Sequence, residues 1–229
     1  AGAPIPAFTM GFDDPDFDAA PVARAVAGEL GGCHHEFRLS SEHVGHQMEN
    51  LWDAYDEPFA DASAIPMLNL LQNVAGRVKV ALTGDGGDET NCGYQWHHAL
   101  NRLDPSGVIA HAVDTREERM ARFRKRHRIS SGRSIDRAGI WTGLRTGLSD
   151  EMIGILPIAD APSHQPLSEY FREWSSGLAH VDDCFAWAGH MDLLTYVPDD
   201  LMVKSDRAAM SVGVELREPL LDHGLCAWL

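Results

Sequence analysis

Val78-Lys-Val-Ala-Leu-Thr-Gly-Asp-Gly-Gly-Asp-Glu89 is a short apolar run that stops abruptly in three glycines and three carboxylates. Val78 to Thr83 has the length and bounds of a buried strand. Gly84, Gly86 and Gly87 permit positive φ and let a ligand come close to the backbone. Asp85, Asp88 and Glu89 crowd negative charge, which is unfavourable unless something positive joins them. Magnesium suits such a place, because it takes one or two protein carboxylates together with phosphate oxygens. Calcium is disfavoured, since the twelve-residue D-x-D-x-D-G spacing is absent. A tight acidic turn after an edge strand is the plainer alternative.

Working back from that run, Phe8 to Phe12 (FTMGF) reads as a short strand, and DDPDFD supplies turn formers and a helix start. Val22, Val26, Ala27 and Leu30 then recur at helical spacing until Gly31-Gly32 ends the helix. His34 to Leu39 alternates as a strand does, and Ser40-Ser41 opens a second helix. Its Val44, Met48, Leu51, Trp52 and Tyr55 form one stripe, expected to face the core. A Pro-punctuated loop, DEPFADASAIP, leads to a helix around Met67 to Val74, with Pro66 in its first turn. Strand, helix, strand, helix, strand at this spacing predicts an α/β fold with a parallel sheet, in which ligands bind beyond the carboxyl ends of the strands.

Working forward, the pattern becomes mainly helical, so an α/β nucleotide-binding part over 1–96 and a helical part over 97–229 are expected. Arg116 to Arg128 (REERMARFRKRHR) reads as a solvated helix face. A loop over Leu156 to Pro166 precedes a last helical region starting near Glu169. Tyr196-Val-Pro-Asp-Asp-Leu-Met-Val-Lys-Ser-Asp-Arg207 places Lys204 and Arg207 three apart on one helix face, suited either to phosphates or a carboxylate, or to a surface ion-pair network. Glu215-Leu-Arg-Glu-Pro-Leu-Leu-Asp-His223 interleaves charges with apolar residues, as an element with one face in the core would.

The chain has 229 residues, a formal charge of -15, and no stretch long or apolar enough to span a bilayer. Such a charge argues against nucleic acid as a partner. Cys33, Cys92, Cys184 and Cys226 lie far apart with no C-x-x-C pair, which favours a reducing, cytoplasmic setting and disfavours a zinc site. The pairs His34-His35 and His97-His98 are weak metal candidates, because neighbours on a strand point to opposite faces.

Taken in order, FTMGFDDPDFD, DEPFADASAIP, VALTGDGGDE with Gly93-Tyr94, YVPDDLMVKSDRAAM and VELREPLLDH resemble the synthetase domain of glutamine-hydrolysing asparagine synthetases. That family is a branch of the PP-loop ATP-pyrophosphatases, and the motifs run from Phe8 to His223. The resemblance implies an adenine-nucleotide-hydrolase-like core and a two-stage reaction using ATP and Mg2+. Aspartate is first activated as its β-aspartyl-adenylate. Ammonia, drawn from glutamine by a separate glutaminase domain, then displaces AMP. It further implies that Asp88 is a magnesium ligand and that Thr83, Gly84, Gly86 and Gly87 contact the nucleotide. Phe8 and Met10 fall on the strand near adenine, and Asp85 lies close to the reacting intermediate. Lys204, Asp206, Arg207, Glu215 and Arg217 match cleft-lining positions. A homodimer is among the expected assemblies.

The family's S-G-G-x-D-S loop, its R-x-K-x-G-F segment and the glutaminase domain are not among these residues. The chain is therefore expected to be only part of a catalytic unit, with an uncovered sheet edge and low solubility on its own. The usual E-L-F-G-G-Y is here Glu89-Thr-Asn-Cys-Gly-Tyr94, which should alter packing at that helix start; Cys92 reads as an inert thiol more readily than a reactive one. Two alternatives stay open: a related amidotransferase or β-lactam-type synthetase acting on another carboxylate, and a degenerate fragment that only binds metal or a partner protein.

Overall fold

The computed structural model describes residues 4–104, 116–126, 135–146 and 167–228. The Leu156–Pro166 loop and the last two residues of the basic run lie outside them. The chain divides into two compact units, Ala1–Gly84 with Asp199–Pro219, and Asp85–Pro198 with Leu220–Leu229.

In the first unit β1 (Pro6–Phe12) pairs in parallel with β2 (Cys33–Leu39), from Pro6 opposite Cys33 to Phe12 opposite Leu39. Helix α1 (Ala20–Glu29) makes the crossover between them. It ends as its glycines require: Gly31 takes φ +68°, and the Gly32 amide reaches back to the Ala27 carbonyl at 2.8 Å. The strands sit close to this helix through small residues, with Ala20 and Ala27 buried. Its large apolar side chains therefore point the other way: Val22, Val26 and Leu30 are 67%, 53% and 81% exposed.

Helix α2 (Ser41–Ala54) and helix α3 (Ala64–Val74) follow. The expected core stripe of α2 is only partly realised. Tyr55, just past its end, is buried and Leu51 packs on the core, but Met48 and Trp52 are 41% and 59% exposed. The stripe is wider than the surface that α3 offers it. Pro66 sits in the first turn of α3, where its missing N–H leaves no helical bond unmade.

Strand β3 (Val80–Leu82) is shorter than the six residues read from sequence. Its partner is not β1 or β2 but β4 (Glu215–Arg217), again in parallel, with Val80 opposite Glu215. The strands thus sort into two parallel pairs rather than one run of three. Residues joined to Lys79 and Thr83 by backbone bonds at 2.9 and 3.0 Å extend the β3–β4 pair at each end. Helix α10 (Met202–Ser211) closes this core: Leu68 and Leu71 of α3 meet Ala208 and Ala209 of α10 and Val214 before β4. Each fully buried leucine contributes about 2 kcal/mol.

The second unit begins with the short helix α4 (Gly87–Asn91) and α5 (Gln95–Leu103). Helices α6 (Arg116–Arg126), α7 (Arg137–Arg145), α8 (Leu167–Ser175) and α9 (Cys184–Met191) follow. Their core centres on Trp141, Leu100, Ile140 and Met191, with Trp187 and Phe171 around them. Asp136 and Asp183 cap α7 and α9 by accepting from the amides of Gly139 and Ala186. After α9 a wide π-type stretch, Asp192–Leu201, carries Pro198, whose lack of an N–H suits the looser bonding. The chain ends in α11 (His223–Trp228).

Candidate functional site

Within the first unit, α3 leads into β3 through a parallel bridge between Ala75 and Val78, and a loop precedes α3. That loop, Asp56 to Ser63, meets the cations of α10. Lys204 Nζ donates to Asp61 Oδ2 and to Ser63 Oγ, each at 2.9 Å. Ser63 in turn donates its amide and hydroxyl to Asp61 Oδ1 at 2.8 and 2.7 Å. The Tyr55 hydroxyl donates to the Lys204 carbonyl at 2.8 Å, and Arg207 pairs with Asp56.

Burial disfavours the Asp61 carboxylate, but the hydrogen bonds from Ser63 and Lys204 outweigh it and hold the carboxyl below its usual value. Burial, with the Asp61 charge adding to it, pushes the Tyr55 phenol up to about 12. The sequence motif DEPFADASAIP had supplied no site residue; the structure adds Tyr55, Asp56, Asp61 and Ser63. Alternation of acids in that loop with cations three apart on α10 is the signal that could have found them.

The other expected residues of this unit are more dispersed. Thr83 donates its amide to the Arg217 carbonyl, at the carboxyl end of the β3–β4 pair. Arg217 and Glu215 pair with each other at 2.7 Å on an exposed face, and Asp206 is exposed. On β1, Phe8 stacks on His35 at 5.3 Å and Phe37 at 6.5 Å, while Met10 is buried. At the end of β1 the Asp18 carboxylate accepts from the amides of Ala20 and Phe12 and binds Arg38, which pins the turn. His34 meets the Thr9 hydroxyl at 3.2 Å.

In the second unit the three carboxylates that crowd together in sequence have different surroundings. Glu89 is 1% exposed and accepts from the Tyr94 hydroxyl at 2.7 Å. Burial and the Glu89 carboxylate hold the Tyr94 proton on far above the ordinary phenol range. Asp88 is exposed and Asp85 half-buried. Gly86 has φ +89°, and a Cβ there would meet the Leu221 side chain at 2.3 Å. A Cβ on Gly93 would fall 1.9 Å from Asp88 Oδ1. His97 and His98 lie on helix α5 rather than a strand. His97 is fully buried with Nε2 2.7 Å from Asp192 Oδ2, and His98 packs edge-on to Phe185.

No group of three His, Cys, Asp or Glu side chains among the described residues is arranged to hold a metal. One exposed carboxylate, Asp88, fits a magnesium ion that arrives with phosphate oxygens, since that ion keeps most of its ligands from water and substrate.

The sequence profile of the family described as asparagine synthase matches residues 1–229. The chain belongs to the asparagine synthase family. It is 25% identical over 232 residues to asparagine synthetase (glutamine-hydrolysing) 1 of Bacillus subtilis, a match covering 94% of this chain and 34% of that protein. A Mycobacterium tuberculosis protein provisionally named as a glutamine-hydrolysing asparagine synthetase is 27% identical over 222 residues, covering 94% of this chain and 33% of its own. The chain thus spans about a third of the length of these relatives.

Where the asparagine synthase pattern has E-L-F-G-G-Y, this chain has Glu89-Thr-Asn-Cys-Gly-Tyr94. Thr90 and Asn91 turn back on helix α4, donating to the Gly86 and Gly87 carbonyls at 2.7 and 2.9 Å. Cys92 has φ +56°, the left-handed conformation that a glycine takes freely. Its thiol donates to the Phe185 carbonyl at 3.3 Å, and burial, with Asp183 and Asp192 nearby, raises its pKa. This is the environment of an inert thiol. No helix among the described residues is long and apolar enough to cross a membrane.

Proposed function

We propose that this chain is part of the synthetase unit of an ATP-dependent, AMP-forming ligase that converts aspartate to asparagine. The observation that carries the reading is the family match over residues 1–229, with T-G-D-G-G-D-E directly after a parallel strand. In the first stage an oxygen of the aspartate side chain attacks the α-phosphorus of ATP, and pyrophosphate leaves with its bonding electrons. In the second, ammonia attacks the activated carbonyl, AMP leaves, and one proton is released. Glutamine is the proposed source of that ammonia, through a glutaminase domain of the full-length protein.

Thr83, Gly84, Gly86 and Gly87 offer backbone to the nucleotide, and Phe8 and Met10 an apolar surface toward adenine. Asp88 would hold magnesium, which offsets phosphate charge when bound. Asp85 serves near the reacting carboxylate. Asp206, Glu215 and Arg217 are proposed as lining residues, and Arg207 as a source of positive charge for the leaving pyrophosphate. A cytoplasmic setting and a homodimer belong to the same proposal.

The test is aspartate-dependent exchange of labelled pyrophosphate into ATP by the full-length protein. Exchange that requires magnesium and aspartate is the expected result. Exchange promoted instead by another carboxylate would redirect the substrate, and its absence with every carboxylate tried would remove the ligase reading.

A further inference from the structure

Helix α10 carries two cations that sequence treats as a pair, and the first unit gives them different surroundings. Lys204 is 6% exposed, and its ammonium closes a ring: Nζ to Asp61, Nζ to Ser63 Oγ, and Ser63 Oγ to Asp61. Its backbone carbonyl is held as well, by the buried Tyr55 hydroxyl. An incoming phosphate would have to take the buried ammonium from Asp61, whose side chain is 17% exposed, and leave that carboxylate without its cation, which is unfavourable. Arg207, one turn on, has a side chain 45% exposed, and its partner Asp56 is 80% exposed. Exposed pairs of this kind contribute little, so a polyanion can replace the single carboxylate at small cost. The planar guanidinium also suits bidentate contact with phosphate oxygens.

We propose that Lys204 is a positioning residue that locks the 56–63 segment ahead of α3 and never meets phosphate, and that Arg207 is the one of the two cations that does. The assignment rests on the ligase reading above and divides a pair that the family motif leaves together. Lys204 acts through the loop: its ring with Asp61 and Ser63 fixes the start of α3, where the Ala64 amide donates to the Asp61 carbonyl at 3.0 Å. Arg207 exchanges Asp56 for pyrophosphate oxygens as that group departs.

The experiment uses the full-length protein and magnesium pyrophosphate as the probe. Arg207→Ala should weaken pyrophosphate binding in titration calorimetry about tenfold or more, with the melting temperature unchanged. Lys204→Met combined with Asp61→Asn neutralises the pair together. It should leave pyrophosphate affinity within about twofold while lowering kcat for exchange. Lys204→Arg, which keeps a cation beside Asp61, should restore kcat. Tenfold loss of pyrophosphate binding in the Lys204 double variant, or unchanged binding in Arg207→Ala, overturns the assignment. Wild-type protein that neither binds pyrophosphate nor exchanges it removes the ligase reading, and the role of Arg207 with it. The Lys204 half is then decided by hydrogen exchange: Lys204→Met must speed exchange at the Ser63 and Ala64 amides, and unchanged protection there overturns it.

Discussion

Cys92 is where the chain stores local strain. A β-carbon in the left-handed region costs about 1–2 kcal/mol, and the weak thiol bond to the Phe185 carbonyl returns part of it. Cys92→Gly should therefore stabilise the second unit by about 1 kcal/mol, read as a rise in melting temperature; a fall would mean the thiol contact outweighs the strain. Asp61 gives a pH dependence. Its carboxyl lies below the ordinary 3.8 when folded, so its stabilising effect is present above that value and is lost as the pH falls through the lower folded one. Acid titration of Asp61→Asn should show a shallower loss of stability below pH 3.8 than the parent. At neutral pH Lys204→Met alone should cost about 1.5–3 kcal/mol, and Arg207→Ala less than about 1 kcal/mol, both measurable by denaturant titration. The sequence made Lys204 and Arg207 visible as cations on one helix face. Their partners were not, because Asp56 and Asp61 lie more than 140 positions away and meet them only in the folded unit.

Elements were more legible than their facing. Strands, helices and the glycine stop at Gly31 follow from periodicity and turn chemistry, which are local. Which side of α1 is inward is not local. It is set by how closely β1 and β2 approach, and the close approach selects Ala20 and Ala27 over Val22, Val26 and Leu30. Leu30→Lys should change stability by no more than about 0.5 kcal/mol, whereas Ala27→Leu should cost about 1–3 kcal/mol. Equal effects in chemical denaturation would contradict this assignment of faces. The strand pairing was equally hidden, since β4 is three residues long and its charged Glu215 and Arg217 give no strand signal of their own. At α4 the glycines separate two roles. Gly93→Ala places a methyl against Asp88 without demanding a left-handed backbone, so it should weaken magnesium-ATP binding much as Asp88→Ala does, measured by calorimetry. Full binding in both Gly93→Ala and Asp88→Ala would remove Asp88 from the proposed magnesium role.

For the whole molecule, each unit has a core of its own, one around Leu68, Leu71 and Val214 and the other around Trp141, Leu100 and Met191. Native-state hydrogen exchange should resolve two sets of protected amides, in α3 with α10 and in α5 with α7 and α9. One set with a single opening energy would show that they unfold together. The division is also discontinuous along the chain: the first unit ends at Gly84 and resumes at Asp199. Val80 pairs with Glu215, 135 positions later. At about 5–20 residues per second, the ribosome releases that partner roughly 7–27 s after β3 itself. Residues 85–198 are made in the interval and have most of their own core to hand, while β3 waits with Val80 and Leu82 unpaired. Nascent chains halted before Asp199 should then bind chaperones through the first unit, and chains extended past Arg217 should escape them.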